Sequence, residues 1–216
     1  MDVNPYFCTI KITYVNSVSK WNVVNKNIAK LILKNWGYSF LFLQIQESTF
    51  IQFIKMLVDF NILPEESRVW IYQANRSFTE QEIEEIQSKL DTFIDSWTAH
   101  GSDLQAGHLV KYKRFIVIAL NQNLNMASGC SIDASVSFIQ QLEKDYNVDL
   151  LDKMNVSYKQ GEFIAYKPLV DFKKMAKDKA ISKNTIVFNN LVTNIAEFKE
   201  NWEVPASESW HNRFVK

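Results

Sequence analysis

The chain contains few cysteines, which cross-link small secreted domains, and few prolines and glycines, which interrupt helices and strands. Its 216 residues include 2 cysteines, 4 prolines and 5 glycines. Two cysteines cannot form the disulfide framework of a small secreted domain. The sequence also lacks the run of about 18 apolar residues that a membrane-spanning helix needs. Since 47% of the residues are hydrophobic, we predict a folded protein of the reducing cytoplasm, without membrane insertion.

The net charge of zero is the sum of a basic first part of the chain and an acidic remainder. The whole chain has 24 basic and 24 acidic residues, but residues 1–55 contain six lysines against Asp2 and Glu47. This first part shows no sustained helical periodicity. We interpret residues 1–55 as a basic, poorly patterned extension that is either disordered or upstream sequence read as protein, with Met56 as the true start. Residues 56–216 are expected to form a single domain.

The domain begins with a predicted strand followed by a helix. Residues 68–72 are β-branched and aromatic, which favours a strand. Two overlapping S/T-x-x-E patterns in residues 77–82 predict a helix start, because hydroxyl and carboxylate can cap the free amides. Apolar residues at helical spacing continue through residues 83–97. His100 and Gly101 are expected to end this helix.

The middle of the domain is predicted to hold its central strand. Residues 111–120 begin basic and become continuously apolar, as in a strand buried on both faces. After a polar loop, Cys130 or Ser131 is expected to open a second helix. Residues 155–166 alternate around a glycine and predict a hairpin.

The remaining pattern predicts two more helices, over residues 169–180 and 184–202, although residues 185–188 alone fit a strand equally well. The aromatic residues of 209–214 are expected to dock this tail on the domain. The economical fold is α+β, a small and mostly buried central sheet of about four strands with helices packed on it. A doubly wound α/β fold would need more buried parallel strands.

The best candidate for a ligand site is the junction of residues 126–133. It follows the central strand and opens a helix, whose free amides and positive dipole end favour phosphate or carboxylate. The ligand-binding candidates are Ser128, Gly129, Ser131 and Asp133. The alternative is that these residues only cap the helix.

The same junction permits a thiol reaction. The helix field would favour the thiolate of Cys130, with His100 as base and Asp103 to orient the imidazole. The alternative is that Cys130 is a small structural residue and His100 only caps a helix end.

Several other classes are disfavoured by the residues present. His100 and His108 are eight positions apart with no second His or Cys cluster, so no metal site is predicted. No G-x-x-x-x-G-K-[ST] pattern occurs, which excludes a Walker-type ATPase. Basic stretches at residues 111–114 and 173–183 are interpreted as solvated faces, and nucleic-acid binding is not expected. No cofactor is predicted.

Segments distributed from Met56 to the C-terminus share a recognisable pattern, at residues 70–73, 97–101, 114–120, 129–135 and 210–211. Together they resemble an uncharacterised family of about 160-residue proteins from flavobacteria and their relatives, often given the name "ABC transporter ATPase". Members begin near the position of Met56. The resemblance brings no reaction, ligand or catalytic residue with it. Because the chain also lacks a Leu-Ser-Gly-Gly-Gln segment, the name would imply association with a transporter and not hydrolysis.

These observations lead to three functional hypotheses. The first is a small ligand- or partner-binding accessory domain, with a small anionic ligand or a protein as its partner. The second is a thiol-dependent enzyme that uses Cys130 with His100. The third is an interaction protein that docks a partner through exposed aromatic residues.

Overall fold

A computed structural model describes residues 56–215, which belong to one compact unit, Lys55–Lys216. The proposed extension of residues 1–55 lies outside the described residues. Within 56–215 the fold is α+β, as predicted. Its helices are α1 (Glu80–Asp95), α2 (Gly129–Tyr146), α3 (Leu169–Lys177) and α4 (Ile195–Asn201). Its strands are β1 (Arg68–Gln73), β2 (Thr98–Ala99), β3 (Ser102–Asp103), β4 (Ala106–Lys111), β5 (Phe115–Leu120), β6 (Asn155–Gln160), β7 (Phe163–Pro168), β8 (Ile186–Phe188) and β9 (Glu203–Pro205).

The strand β5 lies at the centre of an antiparallel sheet with the order β1-β5-β4. All six of its residues are buried, which confirms the prediction of a central strand covered on both faces. Ile116, Ile118 and Leu120 face a core that includes apolar residues of α1 and α2. Phe115, Val117 and Ala119 face a second core, built with Phe60, Phe188, Phe198 and Trp202.

A second antiparallel sheet has the order β7-β6-β8-β9. Its β6–β7 hairpin turns at Gly161, which has a positive φ of 60°, as the sequence predicted. The tail docks here: Trp210–Arg213 forms a 3₁₀-helix and His211 is fully buried against Phe172. Burial lowers the pKa of His211 to about 4. The expectation that aromatic residues hold this tail is confirmed.

A partly buried series of hydrogen bonds joins the three-stranded and the four-stranded sheet. The Trp202 indole donates to the Asn190 side chain at 2.9 Å, and that amide donates to Gln73 at 3.0 Å. Gln73 in turn donates to the Asn155 carbonyl at 2.8 Å. Because Gln73 is on β1 and Asn155 is on β6, this series fixes one sheet against the other.

The predicted strand over residues 111–120 is broken by a hairpin turn. Tyr112 and Lys113 have φ values of 54° and 52°, and the chain reverses so that β4 pairs with β5, with Lys111 opposite Phe115. The loop between these paired residues has three residues, and the two at positive φ would normally be Asn or Gly, because other side chains are strained there. Sequence patterning therefore missed the turn. Arg114, predicted to be solvated, is buried and donates to the Ala74 carbonyl at 2.8 Å.

The boundaries of two predicted helices were wrong. Helix α1 starts with the capping box of Thr79 and Glu82, but it ends at Asp95. His100 and Gly101, expected to stop the helix, instead form the turn between β2 and β3, with φ values of 53° and 79°.

The predicted helix over residues 184–202 is in fact the strand β8, a loop and the short helix α4. Apolar periodicity continues across all three because each packs against the same core. The sheets also contain more strands than the four expected. In residues 56–215 no helix is both long and apolar enough to cross a membrane.

Candidate functional site

At the start of α2, the predicted anion site, two backbone amides are already capped by the site's own serines. The helix begins at Gly129, and Ser128 is the cap in place of the predicted Cys130 or Ser131. The Ser128 hydroxyl accepts from the Ser131 amide at 3.1 Å, and the Ser131 hydroxyl accepts from the Ser128 amide at 2.7 Å. This reciprocal capping satisfies donors that an anion would otherwise use.

The other ligand-binding candidates do not converge. Ser131 is only 2% exposed, and its carbonyl accepts from the Trp97 indole at 2.8 Å. Gly129, the first helical residue, and Asp133 are exposed, and Asp133 lies beyond the first turn because the helix starts earlier than predicted. The geometry gives Ser128 and Ser131 a capping role, and an anion site at these four residues stays a prediction.

The proposed catalytic residues are not joined by hydrogen bonds. Cys130 is exposed in the first turn of α2, whereas His100 lies in the β2–β3 turn. Among residues 56–215, no hydrogen bond connects Cys130 to His100 or to Asp103. Asp103 contacts the loop before α2 through its backbone, since its carbonyl accepts from Asn125 at 2.9 Å. The thiol reaction gains no support from these contacts.

The histidine that does have an acidic partner is His108 on β4. Its Nε2 lies 2.7 Å from Asp91 on α1, and its side chain is 9% exposed. The sequence grouped His108 with His100, but their environments differ.

A groove on the opposite side of the central sheet offers a better site. It has a volume of about 590 Å³ and lies where the end of β4 meets α4 and the 3₁₀-helix Phe60–Ile62. The segment that carries Phe60 packs directly on Gly107 of β4. A Cβ at Gly107 would stand 2.6 Å from the Val58 carbonyl oxygen, so this close approach requires glycine. The groove is lined by Phe60, Asn61, Leu109, Lys111, Phe198, Lys199, Trp202 and Glu203.

The Lys111 ammonium lies over the aromatic floor of this groove. It is 5.0 Å from the ring centre of Trp202, 5.4 Å from that of Tyr112 and 5.6 Å from that of Phe198. These distances are typical of cation–π contacts. The residue is half-buried, so its stem covers the rings while its charge borders the groove.

Glu203, at the same end of the groove, is already engaged. It accepts hydrogen bonds from Lys159 and from the Tyr112 hydroxyl. Burial alone would raise the pKa of Glu203, but these two bonds, together with the positive charges of Lys159 and Lys111, outweigh it and hold that pKa below its usual value. Glu203 is therefore an ionised carboxylate whose two oxygens both have donors.

The cations around the groove differ in what they pair with. Lys199 lies 3.3 Å from Glu65, and Lys159 is bonded to Glu203. Lys111 forms no salt bridge with any carboxylate in residues 56–215. Among these three lysines, Lys111 is the one that lacks a carboxylate within hydrogen-bond distance in the described part of the chain, which makes it the best placed to bind an anionic ligand.

Sequence reasoning missed this groove because its residues are far apart in the chain, at positions 60–61, 109–111 and 198–203. Lys111 was assigned to a solvated basic stretch, and Phe198 and Trp202 were assigned to a helical core stripe. One local signal existed: Lys111 comes two residues after Leu109 near the end of a strand, and residues two apart in a strand lie on the same face.

Comparisons with protein-family models, with curated proteins and with solved structures found no match to this chain.

Proposed function

We propose that this protein is a binding domain for a small anionic ligand, held in the groove beside Lys111. The sequence favoured the same class of function at the start of α2. The groove is the better location because it combines volume, an apolar floor and an available cation.

The proposal rests on one observation: Lys111 has no carboxylate partner among residues 56–215. An ammonium group at an apolar surface gains from a hydrogen-bonded anion, since charge-assisted bonds are stronger than neutral ones. Lys199 and Lys159 already have carboxylate partners. A ligand carboxylate or phosphate would supply the partner that Lys111 lacks within the described residues.

The apolar floor supports a ligand with an organic body. Leu109, Phe60 and Phe198 border the same space as Lys111. Binding pockets commonly combine apolar walls with a few polar groups that orient the ligand. Association with a transporter, as the family resemblance implies, would be compatible with such a binding role and stays a prediction.

Thermal unfolding of the full chain tests the proposal. The probes are acetate, hexanoate, 2-naphthoate and phenyl phosphate, each added in excess. At least one should raise the melting temperature, because a ligand that binds only the folded state stabilises it. The variant Lys111→Met keeps an apolar stem over the rings but removes the charge, and it should abolish the shift.

The matched control is Lys167→Met, which removes an exposed lysine from β7. It should leave the shift unchanged. Binding should also weaken as salt is raised, a measurement that needs no variant. The proposal is wrong if no probe stabilises the protein, or if the shift persists in Lys111→Met.

A further inference from the structure

The chemistry of the groove also indicates which kind of anion it takes. We infer that the ligand is a flat aromatic monocarboxylate, whose ring rests on the floor that the Lys111 side chain now covers. This inference rests on the proposed function and specifies its ligand.

The floor of the groove belongs to a connected set of aromatic rings. Phe198 lies 4.7 Å from Trp202 and 5.6 Å from Phe60, measured between ring centres. These three residues are 1–6% exposed. A ligand therefore reaches the ring faces only if the groups above them move aside.

Lys111 is a group that can move. Its ammonium lies over Trp202 and Phe198, and no salt bridge within residues 56–215 fixes it there. Lysine side chains rotate among rotamers on a picosecond to nanosecond timescale when exposed, and cation–π contacts at partly exposed sites are weak. An arriving carboxylate can draw the ammonium away from the rings, which leaves an apolar surface for the ligand body.

The charge of the groove limits the ligand to one negative charge. Lys111 is a single positive charge with no salt bridge in residues 56–215, and it already acts on Glu203, a paired but ionised carboxylate at the same end. A second negative charge on the ligand would be repelled by Glu203 without a free cation to balance it. A monocarboxylate fits this arrangement better than a phosphate dianion.

The aromatic floor of the groove favours a ligand with a flat ring. Aromatic pairs gain from offset-stacked and edge-to-face contacts in addition to buried area. Leu109 and Phe198 both line the groove, and a flat ring can pack against both. A carboxylate without a ring would gain only the Lys111 contact.

Dissociation constants for the full chain test this inference, with 2-naphthoate, acetate, phenyl phosphate and neutral 2-naphthamide as probes. We expect 2-naphthoate to bind about tenfold or more tightly than each of the others, because the amide lacks the charge, acetate lacks the ring and phenyl phosphate carries a second negative charge. One charge-assisted bond alone is worth about a factor of ten. Binding of 2-naphthoate should change the tryptophan fluorescence. In a Trp202→Phe variant, which also loses the indole bond to Asn190, most of the fluorescence change should be lost.

The outcomes separate this inference from the proposed function. If acetate or phenyl phosphate binds as tightly as 2-naphthoate and requires Lys111, the anion site stands but the aromatic monocarboxylate is wrong. If 2-naphthamide binds as tightly as 2-naphthoate, the ring floor is real but the charge plays no part. If no probe binds, both proposals fail.

Discussion

The start of α2 and the groove beside Lys111 both bring polar groups together, but they differ in which residues supply the hydrogen-bond partners of those groups. At α2, Ser128 and Ser131 are three residues apart and bond to each other. In the groove, Glu203 takes donors from Tyr112 and Lys159, which are distant in sequence, and Lys111 is left without a carboxylate among the described residues. A polar cluster that satisfies itself stabilises the fold, whereas one that leaves a charge over is suited to a ligand.

The largest expected difference between the two regions comes from a matched pair of glycine substitutions. Gly107→Ala places a methyl group 2.6 Å from the Val58 carbonyl oxygen, whereas Gly129→Ala meets nothing within 4 Å. We expect Gly107→Ala to lower the free energy of unfolding by about 1–3 kcal/mol and to weaken binding in the groove. Gly129→Ala should be close to neutral. Urea unfolding measures both, and equal losses would contradict the comparison.

The next effect is on the cap of α2. Ser128→Ala removes the hydroxyl that accepts from the Ser131 amide, and it should cost about 1 kcal/mol. Ser128→Asp keeps an acceptor and serves as the control. The loss should be the same with and without added phosphate, as measured by thermal unfolding. A loss that appears only with phosphate would restore the start of α2 as an anion site.

A smaller effect is expected from the tyrosine that holds Glu203. Tyr112→Phe removes one hydrogen bond and should cost about 0.5–1.5 kcal/mol. In Tyr166→Phe the lost hydroxyl has no hydrogen-bond partner within residues 56–215, so this control should be nearly neutral. Equilibrium unfolding compares them. Equal values would show that the Tyr112 contact adds nothing to the groove.

The smallest expected effect concerns the predicted thiol site. Cys130 is exposed, so iodoacetamide should label it in the native protein, and peptide mapping distinguishes it from Cys8. Because no hydrogen bond joins Cys130 to His100 in the structure, His100→Gln should leave the labelling rate unchanged. A markedly slower reaction in the variant would support the thiol enzyme instead.

The sequence predicted those elements whose signals are local. The capping box of Thr79 and Glu82, the glycine turn at Gly161 and the continuous apolar run of β5 all follow from neighbouring residues. The turn at Tyr112 and Lys113 could not be predicted, because it has no Asn or Gly and depends on tertiary contacts. The predicted α+β fold class is correct despite these errors, because the class depends on which kinds of element are present and not on where each begins and ends.

The two candidate sites also differ in whether their residues are neighbours in the sequence. Ser128 and Ser131 could be found because they are close together in the sequence, and the structure shows them capping a helix. Lys111 could not be linked to Trp202 or Phe198, because only the pairing of β4 with β5 and the packing of α4 bring them together. A ligand site formed across three segments leaves no contiguous pattern to recognise.

The left-handed turn between β4 and β5 has a consequence for how the molecule assembles. Its backbone is disfavoured by about 1–3 kcal/mol per strained residue, so the isolated hairpin should not persist. Tyr112 is held by Glu203 on β9, and Lys113 is held by Glu80 at the start of α1. The tip therefore becomes native only after partners from both ends of the domain have arrived, and we expect its amides to gain protection from hydrogen exchange among the last during refolding.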